Sequence, residues 1–572
     1  MSSHFSWYPS TDAVTIPWNA RYAFPSQSNK TNKSTPRIPP KNGAYFVSGQ
    51  TIRLEFPAQG YVNPQHTTII FDAVLNVPTA SVADGGSNGA VVAANSEYAC
   101  RFQNNIQSIF QRVRLLYGGT VLEDMNNYNQ IVRNLTEWTS TSPYMTMDQA
   151  TINEGIGGVV MGYSPSTVVS TATTPSWMQP INVRQALIQG LQTTTTSTSI
   201  NGGTGVAGKS GSSNAPPGYT AISGYTPITQ RYQVQLALGL FTQEKLIPTK
   251  FMASQLAIEI TLEQSANCIF TDTNTTGSSE LSAIPTFGVG NVILLPEVLE
   301  FDPSYDAMFL KGLQEGGVPI KFSTWNTYFF STASQSNVNL NISERQRSVK
   351  SIFVVQRRSQ PSATADNGAT FMDTANVYNG GSTQGSTLQQ YQFRIGARYF
   401  PGQPVQCSAQ VGSAVPNSGT EAWIELSKAL KIVGDYRLSC PVNTTRWAVI
   451  PDASSTTILP EYDFNKSIKY FANATGIPTY MANTPGLPST LINSASGITG
   501  SACFAMAINL ETSNGIDISG LNAEEQSDIS FLATWKQPQT TGSSAIPANL
   551  EVYTFVDTML VLRENNMIEL IK

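Results

Sequence analysis

Apolar and polar residues alternate along much of this chain with the period of two that β-strands have. Residues 50–56 place Ile52, Leu54 and Phe56 on one face, and residues 338–342 alternate in the same way. In the first half the pattern predicts strands at residues 50–56, 67–77, 98–102, 113–117, 120–125, 232–241, 255–263 and 289–301. In the second half it predicts strands at residues 318–330, 338–342, 349–356, 391–399, 503–510, 528–535 and 550–562. An all-β fold follows.

Short helices interrupt these strands. Large apolar residues recur at helical spacing over residues 128–138 and again over 421–433, where Thr420 is the expected cap. A third helix has clear boundary signals, because Asp302 is a good N-cap, Pro303 suits the first position and Gly316-Gly317 ends the segment. The apolar face of this third helix consists of Tyr305, Met308, Phe309 and Leu313.

The same order of elements occurs twice. Each half runs through strands, one helix, a long stretch rich in Ser, Thr and Gly, and three final strands. We therefore predict two tandem eight-stranded sandwiches with long loop insertions. The expected divisions are an N-terminal arm at 1–45, a first sandwich at 46–301 with an insertion at about 139–228, a connector helix at 302–317, and a second sandwich at 318–572 with an insertion at about 435–500.

The N-terminal arm has six prolines and no apolar period. It carries five basic residues and one acidic residue, a net charge of +4. Two interpretations stay open: a solvated tail, or an arm that ties neighbouring subunits together or lies over a polyanion. For the second, the candidate contact residues are Lys30, Lys33, Arg37 and Lys41.

Composition narrows the class of protein. The 572 residues are too many for one ordinary core, and only 12% of them are charged, about half the usual share. Low charge suits surfaces that become buried against neighbours, since buried charge is costly to desolvate. A net charge of -5 argues against a dedicated nucleic-acid binder. The five scattered cysteines, with no CxxC pair, and an N-terminus without an apolar core predict folding in the cytosol.

Little in the sequence points to catalysis. There are two histidines, His4 and His66, and no HExxH, GxSxG or P-loop motif. Glycosidase chemistry needs paired carboxylates, and the candidates are Glu123-Asp124, Asp302 with Asp306, and Glu524-Glu525. Each pair has a plainer role: the first follows a turn, Asp302 caps a helix, and the third lies in a polar connection. We predict no enzyme activity, no cofactor, no metal and no small-molecule substrate.

A second basic cluster surrounds a strand early in the second half. It consists of Arg345, Arg347, Lys350, Arg357 and Arg358. Such charges usually form a solvated face. If they share a face with the arm, they would contact genome or lipid headgroups without sequence specificity.

Two stretches resemble a known group of proteins. The first runs from Phe102 to Asp124, FQNNIQSIFQRVRLLYGGTVLED, and leads into the helix with Tyr128. The second runs from Tyr391 to Val405, YQFRIGARYFPGQPV. Both are similar to segments of double jelly-roll major capsid proteins of polinton-like viruses, virophages and their relatives. The length and the two-part plan agree, so the resemblance covers most of the chain.

The resemblance implies a structural protein of a virion, synthesised and assembled inside the host cell. Each half would be a jelly roll, and a homotrimer would form a pseudo-hexameric capsomer in an icosahedral shell around a DNA genome. The partners would be neighbouring capsomers, penton and minor capsid proteins, with nonspecific contact to genome or an internal membrane. The long insertions would form outward-facing towers. The family supplies no catalytic residues.

Two alternatives remain at this point. One is a minor capsid or spike component. The other is a carbohydrate-binding β-sandwich, in which Trp138, Trp177, Trp423 and Trp535 would stack on sugars. Trp138 and Trp423 fall within or beside predicted helices, which favours core positions for them.

Overall fold

The computed structural model of the chain describes residues 32–78, 98–102, 106–139, 163–164, 179–180, 216–223, 225–273, 286–332, 337–357, 387–407, 420–433, 471–472, 478–479, 505–511, 519–524, 529–536, 549–563 and 568–571. Within them, antiparallel β-sheets dominate.

The strands of the first half form two packed sheets and two small additions. The strands are β1 (Asn32–Ser34), β2 (Tyr45–Val47), β3 (Thr51–Glu55), β4 (Tyr61–Pro78), β5 (Tyr98–Phe102), β6 (Phe110–Tyr117), β7 (Thr120–Asn126), β8 (Tyr163–Ser164), β9 (Gln179–Pro180), β10 (Tyr225–Val234), β11 (Leu256–Leu262), β12 (Ile269–Thr273) and β13 (Thr286–Glu300). One sheet has the order β1-β13-β4-β10, with β2 also on β13, and the other has β3-β11-β6-β7. The additions pair β5 with β12 and β8 with β9.

The second half repeats this arrangement. Its strands are β14 (Val318–Ser331), β15 (Asn337–Ile342), β16 (Val349–Arg357), β17 (Thr387–Ile395), β18 (Arg398–Gln406), β19 (Phe471–Ala472), β20 (Pro478–Thr479), β21 (Met506–Asn509), β22 (Ile529–Lys536), β23 (Asn549–Leu562) and β24 (Ile568–Ile571). One sheet has the order β14-β23-β16-β21, with β24 also on β23, and the other has β15-β22-β17-β18. A further pair joins β19 and β20.

The strand order is that of a jelly roll in both halves. When the eight main strands of each half are numbered along the chain, one sheet reads 1-8-3-6 and the other 2-7-4-5. In the first half, β1 and β2 together take the place of strand one. Two Greek keys folded into facing sheets produce this order. The predicted double jelly roll is therefore confirmed, as is the correspondence of the last three strands of each half.

Helices lie in the connections. They are α1 (Tyr128–Thr139), α2 (Gly239–Thr242), α3 (Ser265–Cys268), α4 (Pro303–Glu315) and α5 (Thr420–Val433), with single 3₁₀ turns at Ile106–Ile109 and Thr249–Phe251. Both α1 and α5 follow the fifth strand of their jelly roll. The Asp302 side chain accepts a hydrogen bond from the Ser304 amide, so α4 begins as predicted.

Apolar side chains fill the space between the two sheets of each half. Phe71 on β4 packs against Phe110 on the facing sheet and stacks on Tyr232 of the adjacent strand. In the second half, Phe393 and Phe531 meet at 5.1 Å between ring centroids. Alternation with a period of two puts these residues on one face of each strand, which is why the sequence revealed most strands.

Two predicted segments differ from the structure. The strand expected at 232–241 ends at Val234, and the helical turn α2 follows it, because the Gly239 and Leu240 amides bond a carboxylate instead of a neighbouring strand. The turn expected at Pro401-Gly402 instead lies within β18, and the hairpin turns at Gly396, whose φ of 58° favours glycine. The sequence correctly predicted a turn in this region but placed it too far along the chain.

Candidate assembly surfaces

A buried glutamate joins the two jelly rolls. Glu123 on β7 is 2% exposed and accepts hydrogen bonds from the amides of Gly239 (2.6 Å) and Leu240 (3.3 Å) at the start of α2. The Thr324 hydroxyl of β14 donates to the same carboxylate at 2.6 Å. Nearby, the Thr327 hydroxyl donates to the carbonyl of Asn126 at 3.1 Å. The fifth strand of the first jelly roll therefore lies against the first strand of the second.

Helix α1 of the first jelly roll extends this junction. Its Trp138 is 2% exposed and stacks on Phe353 of the second jelly roll, with 5.1 Å between ring centroids. Trp325 and Phe555 complete the aromatic cluster. The two halves thus share one apolar core, and a contact of this kind between large rings contributes more than its buried area alone.

The matching edges of the two jelly rolls, β18 and β2, are exposed. Strand β18 is the fifth strand of the second jelly roll, and its Tyr399 is 48% exposed. Strand β2 belongs to the first strand of the first jelly roll, and its Val47 is 46% exposed. Neither edge is covered by another strand in the part of the chain that the structure describes. Open sheet edges are places where another chain can pair.

The basic residues predicted for the arm are found in different surroundings. Lys33 Nζ lies 2.6 Å from Glu297 Oε2, and Lys41 Nζ lies 2.9 Å from Glu55 Oε2. Arg37 is exposed, and Lys30 lies outside the described residues. The structure does not test whether these residues contact genome or membrane, so that role stays a prediction.

Hydrogen bonds change the acidity of both carboxylate partners. Burial opposes ionisation of Glu297, but hydrogen bonds from Lys33, Asn63 and His66 outweigh it and hold the pKa of this carboxyl below its usual range. The hydrogen bond from Lys41 lowers the pKa of Glu55 in the same way. These pairs hold residues 32–45 against the first jelly roll.

The second basic cluster is partly neutralised. Arg347 pairs with Glu524 at 2.9 Å. Lys350 Nζ lies 3.5 Å from Asp557 and 3.9 Å from Glu511, and its side chain is mostly buried. Arg358 lies outside the described residues, and no side-chain placement is described for Arg357. Lys350 is therefore a structural cation of the second jelly roll, contrary to a solvated face.

The candidate carboxylate pairs are occupied by structural roles. Glu123 is buried at the junction, and not merely beyond a turn as predicted, while Asp124 forms two hydrogen bonds with Arg112. Asp302 caps α4, and Asp306 accepts from Tyr61. Glu524 pairs with Arg347, as above, and Glu525 lies outside the described residues. Each described carboxylate of these pairs is thus accounted for by contacts within the fold.

The tryptophans proposed for sugar stacking are not on an open face where the structure describes them. Trp138 and Trp535 are each 2% exposed, and Trp423 packs against the core. Trp177 lies outside the described residues. Among the described residues, no group of three or more His, Cys, Asp or Glu could hold a metal ion. The described helices include none with the length and apolar character to cross a membrane.

Comparison with known proteins gives a fold likeness only. No protein-family model matches the chain, and no curated protein matches it. Solved structures match over nearly the full length. The chain is similar to a chain of the Sputnik virophage cryo-EM structure (11% identity, TM-score 0.49, 100% of this chain and 94% of that one). It is also similar to the mavirus major capsid protein (9% identity, TM-score 0.46, 99% and 96%) and the Faustovirus major capsid protein (11% identity, TM-score 0.46, 96% and 93%).

The chain is a double jelly-roll protein. Its own strand order carries this assignment. The double jelly roll that the resemblance of two stretches implied is confirmed by the strand order of the chain itself. Sequence reasoning missed the junction at Glu123 and the exposed edge at Tyr399. The signal for the first was that Glu123 shares a strand face with Val121 and Met125 in the period of two.

Proposed function

We propose that this chain is a major capsid protein, a non-enzymatic component of a virion that assembles with copies of itself. One observation carries the proposal. Within the chain, the fifth strand of one jelly roll (β7) lies against the first strand of the other (β14), while the equivalent edges β18 and β1/β2 are exposed. The contact that β7 and β14 make inside the chain can therefore be repeated between chains by their exposed counterparts, β18 and β1/β2.

Ring closure follows from this pairing. If β18 of one copy lies against β1/β2 of the next, each chain contributes one internal and one external contact of the same kind. Three chains would then place six similar jelly rolls in a closed ring, a homotrimeric capsomer with a pseudo-hexameric outline. Closed rings of identical chains are the usual solution for such head-to-tail contacts.

The long excursions support a role at the surface of a shell. Both follow the fifth strand and its helix, the first after Thr139 and the second after Val433. A jelly roll leaves its end loops free to vary while its sheets keep their packing. We expect these excursions to face outward, and the remaining surfaces to contact neighbouring capsomers, penton and minor capsid proteins in an icosahedral shell.

The native mass of the purified protein tests this proposal. We expect a stable species of three times the 61.8 kDa chain mass, measured by native mass spectrometry over a wide concentration range, and shells in electron micrographs. The variant Tyr399→Glu should prevent the trimer because it buries a charge at the edge. Phe329→Glu, at a residue that is 56% exposed on β14, is the matched control and should still form trimers. A monomer at all concentrations would exclude the proposal, and a trimer that forms no shells would favour a spike component.

A further inference from the structure

A groove lined mainly by apolar side chains lies beside helix α4, and both jelly rolls contribute to its walls. Its walls come from α4, from the connection around Leu246 and from the start of β14. The groove has a volume of about 550 Å³. On α4 its lining includes Met308, 65% exposed, and Tyr305, 39% exposed. The sequence placed both residues on the apolar face of this helix, yet the described part of the chain leaves them in contact with solvent.

The base of the groove is closely packed. Tyr61 is 2% exposed, and its ring packs edge-on against Tyr305 and Phe309. Its hydroxyl donates to Asp306 at 2.9 Å, and Lys250 also pairs with this carboxylate. A preformed aromatic floor below two exposed apolar side chains has the properties of a docking surface, because little ordering is needed on binding.

Strand β1 begins near the floor of this groove. Strand β1 pairs antiparallel with β13, with Asn32 opposite Glu300 and Ser34 opposite Val298. The N-terminal end of β1 is therefore directed toward the start of α4, which follows β13 at Pro303. Lys33 and Tyr61 both lie opposite Leu299 on its two sides, which puts their Cα atoms about 10 Å apart.

The segment that precedes Asn32 has suitable chemistry. Residues 1–31 include the six aromatic residues Phe5, Trp7, Tyr8, Trp18, Tyr22 and Phe24, nearly twice the 10% average of the chain. A solvated tail is normally poor in aromatic residues. Phe24 is eight residues from Asn32, so it reaches up to about 26 Å. The path from Asn32 to Met308 is at most about 23 Å, since it crosses to Glu300, follows residues 300–303 and rises about 8 Å along α4.

We propose that residues 1–31 dock their aromatic side chains, with Trp18, Tyr22 and Phe24 nearest, into the groove beside α4 of the same chain. The tether at β1 favours the segment of the same chain over that of a second copy, since a short link gives a high effective concentration. The contact covers Tyr305 and Met308 and closes the apolar surface that the helix presents. This inference does not depend on the capsid assignment.

Photo-crosslinking of the full chain tests the proposal. The photoreactive residue p-benzoylphenylalanine replaces Met308, and unlabelled chains carrying it are co-assembled with ¹⁵N-labelled wild-type chains before irradiation. We expect a crosslinked peptide from residues 1–31 in which both partners are unlabelled. The same residue at position 329, exposed on β14, is the control and should not capture residues 1–31. A labelled partner peptide, a peptide from elsewhere, or no crosslink would overturn the proposal.

Hydrogen exchange gives a second measurement that needs no reactive group. In the triple variant Trp18→Ser, Tyr22→Ser and Phe24→Ser, amides of α4 from Met308 to Gly312 should exchange at least about threefold faster, because their cover is removed. Amides of β22, which lie far from the groove in the fold, serve as the internal control and should not change. Unchanged exchange in α4 would contradict the proposal.

Discussion

The two jelly rolls share a strand order but differ in their first strand. In the second, β14 is continuous, and all of Val318–Ser331 pairs with β23. In the first, the same place is divided between β1 and β2, with only an isolated bridge from Ile38 to Leu294 between them. Pro36, Pro39 and Pro40 fall in this gap, and proline cannot donate to a ladder. A broken edge resists unspecific pairing with other sheets.

The fifth strands differ in a complementary way. Strand β7 buries Glu123 against β14, whereas β18 exposes Tyr399. The two edges that meet inside the chain, β7 and β14, are thus uninterrupted and linked by hydrogen bonds. Of the two exposed edges, the first strand (β1 and β2) is interrupted and β18 carries an exposed tyrosine. The internal junction is therefore a fixed part of the folded chain, whereas the outer edges are open to the contact proposed between chains. The following changes test this difference.

The largest effect is expected at the shared aromatic cluster. Trp138→Ala should lower the free energy of unfolding by about 4 kcal/mol, because it leaves a cavity beside Phe353 at the contact between the halves. Urea unfolding followed by circular dichroism measures this. Phe329→Ala, at an exposed residue, is the control and should change stability by less than about 0.5 kcal/mol. A loss below about 1 kcal/mol for Trp138→Ala would show that the halves are not coupled there.

The next largest loss of stability is expected where α2 approaches β14. A Cβ added at Gly239 would lie 2.1 Å from the carbonyl oxygen of Ser323, so Gly239→Ala must push the two jelly rolls apart. We expect a loss of about 2–3 kcal/mol in thermal or urea unfolding. Gly119→Ala is the matched control, since nothing lies within 4 Å of its added Cβ. Equal effects of the two substitutions would contradict this account of the junction.

A smaller effect is expected for the hydrogen bond between Glu123 and Thr324. A double-mutant cycle with Glu123→Ala and Thr324→Val should give a coupling energy of about 1–2 kcal/mol, because the cycle removes a buried hydrogen bond to a carboxyl group. The comparison pair is Arg112 and Asp124 on β6 and β7, whose side chains are about one-third exposed. Its coupling should stay below about 1 kcal/mol. The reverse order would refute the role assigned to Glu123.

The smallest effect is expected where β1 joins β13. Because the folded pKa of Glu297 is lowered, the stabilisation from its bonds is present above the unfolded pKa and is lost as pH falls through the folded pKa. The protection factors of the amides of residues 32–34, corrected for the intrinsic exchange rate at each pH, should therefore fall below about pH 4, by an amount equal to about 0.5 kcal/mol. Glu297→Gln should show the faster exchange already at pH 7. Protection that is constant from pH 7 to pH 3 would contradict this prediction.

Much of the fold could be predicted because buried apolar residues recur at every second position along the strands. Alternation located strands such as β3 and β15 almost to the residue, and the cap at Asp302 located α4. The misplacements have local causes. Pro401-Gly402 signals a turn in isolation, but the pairing of β17 with β18 continues through it with a bulge.

The candidate surfaces were less accessible to sequence reasoning. Period and composition say which residues are buried, but not which buried acid meets which partner 201 residues away, as Glu123 meets Thr324. They also cannot separate Trp138, which packs on the other jelly roll, from a tryptophan that packs within its own. Contacts distant in sequence depend on the three-dimensional path of the chain. The basic residues of the arm were visible at once, whereas the ion pair between Lys33 and Glu297 was not.

The most direct test of the central claim is a crosslink at the exposed fifth strand. With p-benzoylphenylalanine in place of Tyr399, and with labelled and unlabelled chains co-assembled, the account predicts a crosslinked peptide from residues 32–47 of a different copy. That result would show that β18 and the first strand of the next chain repeat the internal contact of β7 with β14. Trimers that crosslink position 399 to any other segment would contradict the proposed edge pairing, although the capsid assignment itself would stand.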